Sequence, residues 1–289
     1  MDDLAMAWRL ANLADRISLP SFRAADHSVK TKPDGSPVTE ADTAVETAIR
    51  AELARKCPSD SILGEEQGYS PGTKGSGRRW IIDPIDGTKN FMSGIPLYGT
   101  LIALEVDGKV QVAVVSMPAL GRGTRYWAVC GGGAWKQEGR GQARQIHVNR
   151  ITRIEDGVLA WSGVGGIRTQ WERRFHKLRI RFFLNRKVGN TWAHMLVAEG
   201  VAAAASGGHL SVWDIAAPKL IVEEAGGKYS SWAGADALSP GTAISSNGLL
   251  HAELVRALHP AWLRRATSRI TGSNSRGTGL IPLPSPELA

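Results

Sequence analysis

The stretch Asp83-Pro84-Ile85-Asp86-Gly87-Thr88, directly after the apolar run Trp80-Ile81-Ile82, constrains this chain more than any other. The apolar run predicts a buried strand, and the six residues behind it set two carboxylates at its end. Pro84 fixes its own φ and pushes Asp83 toward extended backbone, so the loop presenting Asp83 and Asp86 is expected to be stiff. Gly87 permits a tight turn. The N–H groups of Gly87, Thr88 and Lys89 are expected to open a helix, whose positive end suits a phosphate. Two hard oxygen ligands beside an anion cradle describe a divalent-metal phosphate site. The same residues also make an ordinary turn, because Asp, Pro and Gly dominate turns for local reasons.

Other carboxylates stand at comparable places. Gly64-Glu65-Glu66 follows Ile62-Leu63, a short strand-like run, and Trp213-Asp214-Ile215-Ala216-Ala217 opens an apolar helical pattern. Each acid sits at the edge of a predicted element, where a core would not have to tolerate an unpaired charge. Strand ends and helix starts are where α/β folds assemble their sites. Thr39 is placed to cap a helix through Ala44, Val45, Ala48, Ile49 and Leu53 that ends before Pro58. Asp42, in its first turn, is either an acid complementing the helix dipole or part of a metal shell. Taken alone, Trp213-Asp214 reads as an aromatic anchor followed by a helix N-cap.

A chain of 289 residues holds one large domain or two lobes sharing an interface. Two cysteines far apart, Cys57 and Cys130, give no disulfide framework and point to a reducing compartment. No basic leader followed by an apolar segment is present, and no stretch is long enough to span a bilayer, so a cytoplasmic protein without a membrane partner is expected. The net charge of +8 invites a nucleic-acid reading. Much of the excess lies in Arg168, Arg173, Arg174, Lys177, Arg179, Arg181, Arg186 and Lys187, with Arg264, Arg265, Arg269 and Arg276 further on. No recognised nucleic-acid module accompanies it, and a positive field that draws in a phosphorylated substrate explains it more simply.

Leu4, Trp8, Ala11, Ala14 and Ile17 recur at helical spacing and predict an opening amphipathic helix. Leu97–Val106 and Lys109–Val115 are strand-like runs around Asp107-Gly108, a strong hairpin signal, and Thr124–Val129 is a third strand before the turn at Gly131-Gly132-Gly133. Residues 1–145 therefore read as an α+β lobe, helices packed on an antiparallel sheet. Beyond it, short apolar runs alternate with helical patterns: Val158–Trp161, a helix near 169–178, Thr191–Glu199, Val201–Ala205 and Asp214–Ala225. That alternation predicts an α/β lobe over 146–265. Residues 266–289, rich in Ser, Gly, Pro and Arg, are expected to be a disordered tail.

Four segments in order carry a family resemblance: Lys32 through Asp42, Gly64-Glu65-Glu66, Trp80 through Phe91, and Ser211 through Ala217. With them the chain resembles the inositol monophosphatase superfamily of metal-dependent, lithium-sensitive phosphatases over about residues 30–250. Within it, the actinobacterial histidinol-phosphate phosphatases are the nearest likeness, through Asp86–Phe91, Val115–Leu120, Leu196–Gly200 and Ser246–His251. The resemblance implies a layered α-β-α-β-α fold, a homodimer and hydrolysis of a small-molecule phosphate ester, with Mg²⁺ as cofactor. It implies that Glu65, Asp83 and the Ile85 carbonyl hold a first ion, and that Asp83, Asp86 and Asp214 hold a second. Thr88, with Glu65, would orient the attacking water, Gly87 and Thr88 would bind phosphate, and Asp42 would hold a weaker third ion or its waters. All these ligands are oxygens, as Mg²⁺ prefers.

At the substrate end, inositol-type members carry a small Gly-Ser-Ala-like segment where this chain has Gly189-Asn190-Thr191-Trp192. They also carry an acid seven residues before the last metal aspartate, and histidinol-phosphate members carry acids at both corresponding positions. Here those positions are Asn190 and Gly207, so a more neutral pocket is expected, with His209 lining it. The other histidines, His27, His147, His176, His194, His251 and His259, read as surface or packing residues. Three functions follow: a histidinol-phosphate phosphatase of histidine biosynthesis, the same chemistry on an inositol, sugar or nucleoside monophosphate, or a non-catalytic basic binding protein on this scaffold.

Overall fold

Alternation along the strands builds the core. The computed structural model describes residues 2–24, 29–31, 37–163, 169–235, 238 and 241–259; Arg168, His27 and the 266–289 tail lie outside them. Helix α1 (Asp3–Ala24) is followed by the ribbon β1 (Val29–Thr31) and β2 (Pro37–Thr39), then by α2 (Glu40–Lys56). Next come β3 (Ser61–Gly64), β4 (Gly68–Ser70), β5 (Arg78–Asp86), the five-residue α3 (Thr88–Met92), β6 (Gly99–Val106), β7 (Lys109–Met117), β8 (Thr124–Val129), β9 (Ala134–Glu138) and β10 (Arg144–Ile146). The last part is β11 (Val158–Trp161), α4 (Thr169–Arg179), β12 (Leu184–Lys187), α5 (Asn190–Ala198), β13 (Ala204–Leu210), α6 (Val212–Glu224), β14 (Lys228–Ser230), β15 (Gly241–Ser246) and α7 (His251–Leu258).

These strands form an eight-stranded sheet, β10-β9-β8-β7-β6-β5-β3-β4, and a five-stranded sheet, β12-β11-β13-β15-β14. On the large sheet, Trp80, Ile82, Ile102, Leu104, Val112 and Val114 face α1 and α2 in one apolar cluster. Their neighbours Ile81, Leu101, Ala103, Ala113 and Val115 face the other way, into a cluster shared with α5, α6 and the second sheet. Ala160, Ala205 and Ala243 join that cluster, while Leu159, Ala204 and Ile244 turn to α4 and α7. The period-two alternation of strands thus stacks five layers, α-β-α-β-α. Among the described residues no helix is long and apolar enough to cross a membrane.

The expected hairpin at Asp107-Gly108 forms with both residues at positive φ, 50° and 80°, as a primed turn requires. The large sheet is not wholly antiparallel, however. β3 runs parallel to β5, with Gly64 opposite Ile82, because the chain goes out along β4 and crosses back over residues 71–77. That crossing sets Glu65 and Asp83 side by side at one end of the sheet. The strand expected at Val201–Ala205 instead runs from Ala204 to Leu210. Its small residues Ser206, Gly207 and Gly208 fit between close neighbours, which apolarity alone does not signal. The second sheet is mixed: β11 is parallel to both neighbours, while β15 is antiparallel to β13 and β14.

Glu46 of α2 is fully buried and holds the turn after β3, accepting from the backbone N–H groups of Glu66 at 2.8 Å and Gln67 at 3.0 Å. Arg50 pairs with the same carboxylate. A Cβ built on Gly64 would come within 2.3 Å of Glu46 Oε1, so the glycine is required by this approach. Gly64→Ala should therefore lower stability by about 1–3 kcal/mol, the usual range for overpacking a buried site. Urea denaturation would show it as a reduced midpoint, with lost activity because the same turn carries Glu65.

Candidate active site

Two aspartates three apart on a regular strand point to opposite faces. Here the pairing of β5 with β6 slips between Asp83, opposite Leu101, and Asp86, opposite Gly99. Pro84 and Ile85 make the bulge, and Thr100 Oγ1 donates to the Pro84 carbonyl at 2.8 Å to hold it. A bulge re-aims the side chain that follows it, and the aspartates converge. Asp214 reaches the same place from the start of α6. Ligand atoms of Asp83, Asp86 and Asp214 all lie within 4.8 Å of one another.

Helix starts on the far side hold two of these acids. The Thr191 N–H, in the first turn of α5, donates to Asp86 Oδ2 at 2.9 Å, and the Ser211 N–H donates to Asp214 Oδ2 at 2.6 Å. Asp214 is therefore the third residue of its helix rather than the cap; Ser211 is the cap. Asp42 has the same relation to Thr39, whose N–H donates to it at 2.8 Å. Asp42 stands outside the three-carboxylate cluster and joins the site through Thr88. The Thr88 hydroxyl lies 3.3 Å from Asp42 Oδ1 and 3.2 Å from the Ile85 carbonyl. Gly87 takes φ 90° as the cap of α3, a conformation only glycine adopts without strain.

The cluster is electrostatically unfavourable by itself. Asp83 is 1% exposed, and its Oδ1 has no hydrogen-bond partner. Burial first, then the charges of Glu65, Asp86 and Asp214, hold its carboxyl well above the usual carboxylate range. Burial and the Asp86 charge likewise raise Asp214. An all-oxygen donor set with an orphaned buried carboxylate oxygen fits a hard divalent cation.

Two cavities meet at these acids. One, of about 210 Å³, is lined by Glu65, Asp83, Ile85, Asp86, Gly87 and Thr88, among others, and by Asp214. The other, of about 280 Å³, shares Asp86 and Asp214 and adds Ser162, Thr191, His194 and His209. His209 occupies the irregularity in β13, at φ 58°. Gly207 does not line this cavity; a Cβ there would lie 2.8 Å from Ser162 Oγ and 3.3 Å from the Leu210 side chain. The side chain of Asn190 is outside the described residues, although its backbone opens α5.

His194 packs inside the protein as expected, and it also borders the site. It is 4% exposed and lines the second cavity, with Nδ1 at 2.8 Å from Ser245 Oγ and its ring 5.1 Å from that of Tyr229. Burial lowers its pKa to about 4, so the ring is neutral. Only its place one turn after Thr191 on a helix entering the site could have signalled it. The basic segment is also less free than expected. Arg174 donates to the His259 carbonyl, Arg179 lies over the Trp161 ring, and Arg181 pairs with Glu155 and Glu253. Arg173 and Lys177 remain exposed.

The model of the inositol monophosphatase family matches residues 4–263, and the chain belongs to that family. Its class is that of the phosphoric monoester hydrolases. Over 259 residues it is 42% identical to the histidinol-phosphatase of Mycobacterium tuberculosis, covering 89% of this chain and 98% of that protein. Over 269 residues it is 42% identical to the histidinol-phosphatase of Streptomyces coelicolor, covering 90% and 97%. The crystal structure of the extragenic suppressor protein suhB from Bartonella henselae superposes with a TM-score of 0.81 at 28% identity, covering 89% of this chain and 98% of that one.

A raised carboxyl loses folded-state stability as pH climbs from its unfolded to its folded value. For Asp214 that window runs from pH 3.8 to about 8, so the metal-free site should weaken the protein across it. The lowered His194 and His251 act in the opposite sense below their ordinary 6.5. Thermal unfolding with and without a divalent cation cancels them, and the rise in Tm on adding the ion should grow across this window. Asp83→Asn should raise the Tm of the metal-free protein and shrink the ion-dependent rise. A cation effect independent of pH would refute this account.

Proposed function

We propose that this chain is a Mg²⁺-dependent phosphomonoesterase that hydrolyses histidinol phosphate in histidine biosynthesis. The observation that carries the chemistry is the triad of buried Asp83 and Asp86 with half-buried Asp214, with an unpartnered oxygen on Asp83, at the junction of two cavities. The first cavity suits the phosphate and the second its leaving alcohol. The overall likeness to two histidinol-phosphatases supports the substrate.

In this reading Glu65, Asp83 and the Ile85 carbonyl hold one Mg²⁺, Asp83, Asp86 and Asp214 a second, and Asp42 a weaker third or its waters. Bound there, Mg²⁺ supplies Lewis acidity toward the phosphoryl oxygens and lowers the pKa of a bound water. The protein does the positioning. Thr88, between the Asp42 carboxylate and the Ile85 carbonyl, orients the attacking water together with Glu65. Gly87 and Thr88 present backbone N–H groups to the phosphate, while His209 borders the leaving group and Asn190 stands at the start of α5 beside it; Gly207, proposed from sequence as a third contact, lies behind Ser162. No covalent phosphoenzyme is needed. Lobes at 1–145 and 146–265, a homodimer, lithium sensitivity and a cytoplasmic location belong to the same proposal; free Cys57 and Cys130 support the last.

A second reading keeps the chemistry and changes the ester to an inositol, sugar or nucleoside monophosphate. Gly207 favours it, because the position offers no carboxylate to an ammonium group and Ser162 takes up the adjoining room. A non-catalytic binding role is disfavoured by the complete carboxylate set.

Assays of a panel of phosphate esters with Mg²⁺ should rank histidinol phosphate first; a higher kcat/KM on any other ester favours the second reading. Asp83→Asn and Asp214→Asn should each lower turnover by orders of magnitude while the circular dichroism spectrum persists. Near-normal turnover in either at saturating Mg²⁺ defeats the two-ion assignment. Neutralising the exposed Arg173 and Lys177 should reduce kcat/KM and its salt dependence with little change in kcat, if they steer the anionic substrate.

A further inference from the structure

Four cations converge on one concavity away from the acids. Arg173, Arg174, Lys177 and Arg181 line an open cavity of about 470 Å³, with Gln170, Leu178 and Ala257. Among the described residues that line it, none is an acid. The cavity lies where α4 meets α7, in the outer layer that packs on Leu159, Ala204 and Ile244 of the small sheet. It shares no lining residue with the two cavities at Asp86 and Asp214. Drawing a substrate in by long-range attraction asks only for net charge; it does not ask cations to converge on a hollow.

The convergence follows from helical spacing. Arg173 and Lys177 are four apart on α4, with Arg181 four further on, just past the end of the helix, and Gln170 and Arg174 make a second row at the same spacing. Like charges four apart destabilise a helix, so this face has a cost that something must offset. The protein offsets little of it. Glu172 lies 3.8 Å from His176 and does not line the cavity. Arg181 is met by Glu155 and Glu253. Arg174 donates to the His259 carbonyl at 2.6 Å, a neutral acceptor that fixes the guanidinium without cancelling its charge. Among the described residues, Arg173, Arg174 and Lys177 have no acid partner.

We propose that this cavity is a second anion site, and that it takes a small molecule carrying a chain of linked phosphates. Guanidinium groups bind phosphate oxygens in a two-pronged fashion, and an ammonium adds a point charge. One phosphate can meet one turn of the cation row, about 6 Å long, whereas linked phosphates reach the next turn as well. Leu178 and Ala257 give the hollow an apolar part, and the Gln170 amide is its uncharged polar group.

Titration calorimetry of the whole chain in EDTA, near physiological salt, tests the site without catalysis. With no cation bound, the acid cluster repels anions, so binding reports on another place. Tripolyphosphate should fill a single site per chain, and orthophosphate should bind at least about tenfold more weakly. The double variant Arg173→Gln/Lys177→Gln should weaken tripolyphosphate about tenfold or more, with Tm held or raised because like charges are removed. Arg122→Gln/Arg140→Gln removes the same net charge from exposed positions on the large sheet and should change affinity by less than about twofold. ATP binding more tightly than tripolyphosphate would make a nucleotide the source of the phosphates, and equal affinity a bare polyphosphate; both support the site. No saturable binding would overturn it, as would equal weakening in the two double variants. A single-stranded oligonucleotide that displaces tripolyphosphate at lower concentration would overturn it too, in favour of a nucleic-acid surface. The phosphatase reading is judged separately, by the ester assays with Mg²⁺.

Discussion

Carboxylates do not gather in a protein interior unless something holds them there. Asp83, Asp86 and Asp214 converge within 4.8 Å, and burial and mutual repulsion lift the protonation of Asp83 and Asp214. The bulge in β5 fixes Asp83 and Asp86, and the starts of α5 and α6 give N–H groups to Asp86 and Asp214. Helix starts carry partial positive charge, so their position opposes part of the repulsion. What they leave uncompensated is the affinity for a cation.

The rest of the architecture follows from that need. α5 and α6 form the middle layer, packed against both sheets, so their starts are held from two sides. Glu199, at the far end of α5, pairs with the largely buried Lys136 at 2.6 Å and accepts from Tyr126, tying that helix to the large sheet. On the opposite layer α2 contributes Asp42 near its start and Glu46 a turn later. One reaches Thr88, and the other fixes the turn that bears Glu65. Four elements from distant parts of the chain thus share one small volume, each anchored by groups outside it.

Charge is divided unevenly across the site. The cavity at Glu65, Asp83 and Thr88 concentrates acids, which in the proposed reading a cation would convert into an anion-binding surface. The second cavity, apart from the shared Asp86 and Asp214, is lined by hydroxyl residues, glycines, histidines and Leu210. Of the basic segment, Arg181 is offset by Glu155 and Glu253, while Arg174 and Arg179 are held by neutral groups and keep their charge.

The sequence by itself determined the carboxylates, the cap of α2 and most of the central strands. Thr39 capping α2, the Asp107-Gly108 hairpin and the Thr124–Val129 strand depend on contacts within a few residues, which local chemistry dictates. The family was legible because its motifs are short and contiguous. Local spacing could not show that β3 runs parallel to β5, since that depends on a crossing chain whose ends meet only in the sheet. Nor could it show the polar β12, or the short β14 and β15, whose pairing comes from neighbours remote in sequence. At the site, Asp83 and Asp86 announced themselves, while His194, Ser162 and Thr191 did not. Their residue types are unremarkable, and their meaning arises where α5, β11 and β13 converge. Gly207 marks the limit most clearly: the sequence shows that an acid is missing, but only the packed structure shows Ser162 and Leu210 in the space beside it, because volume is a property of neighbours and not of the chain.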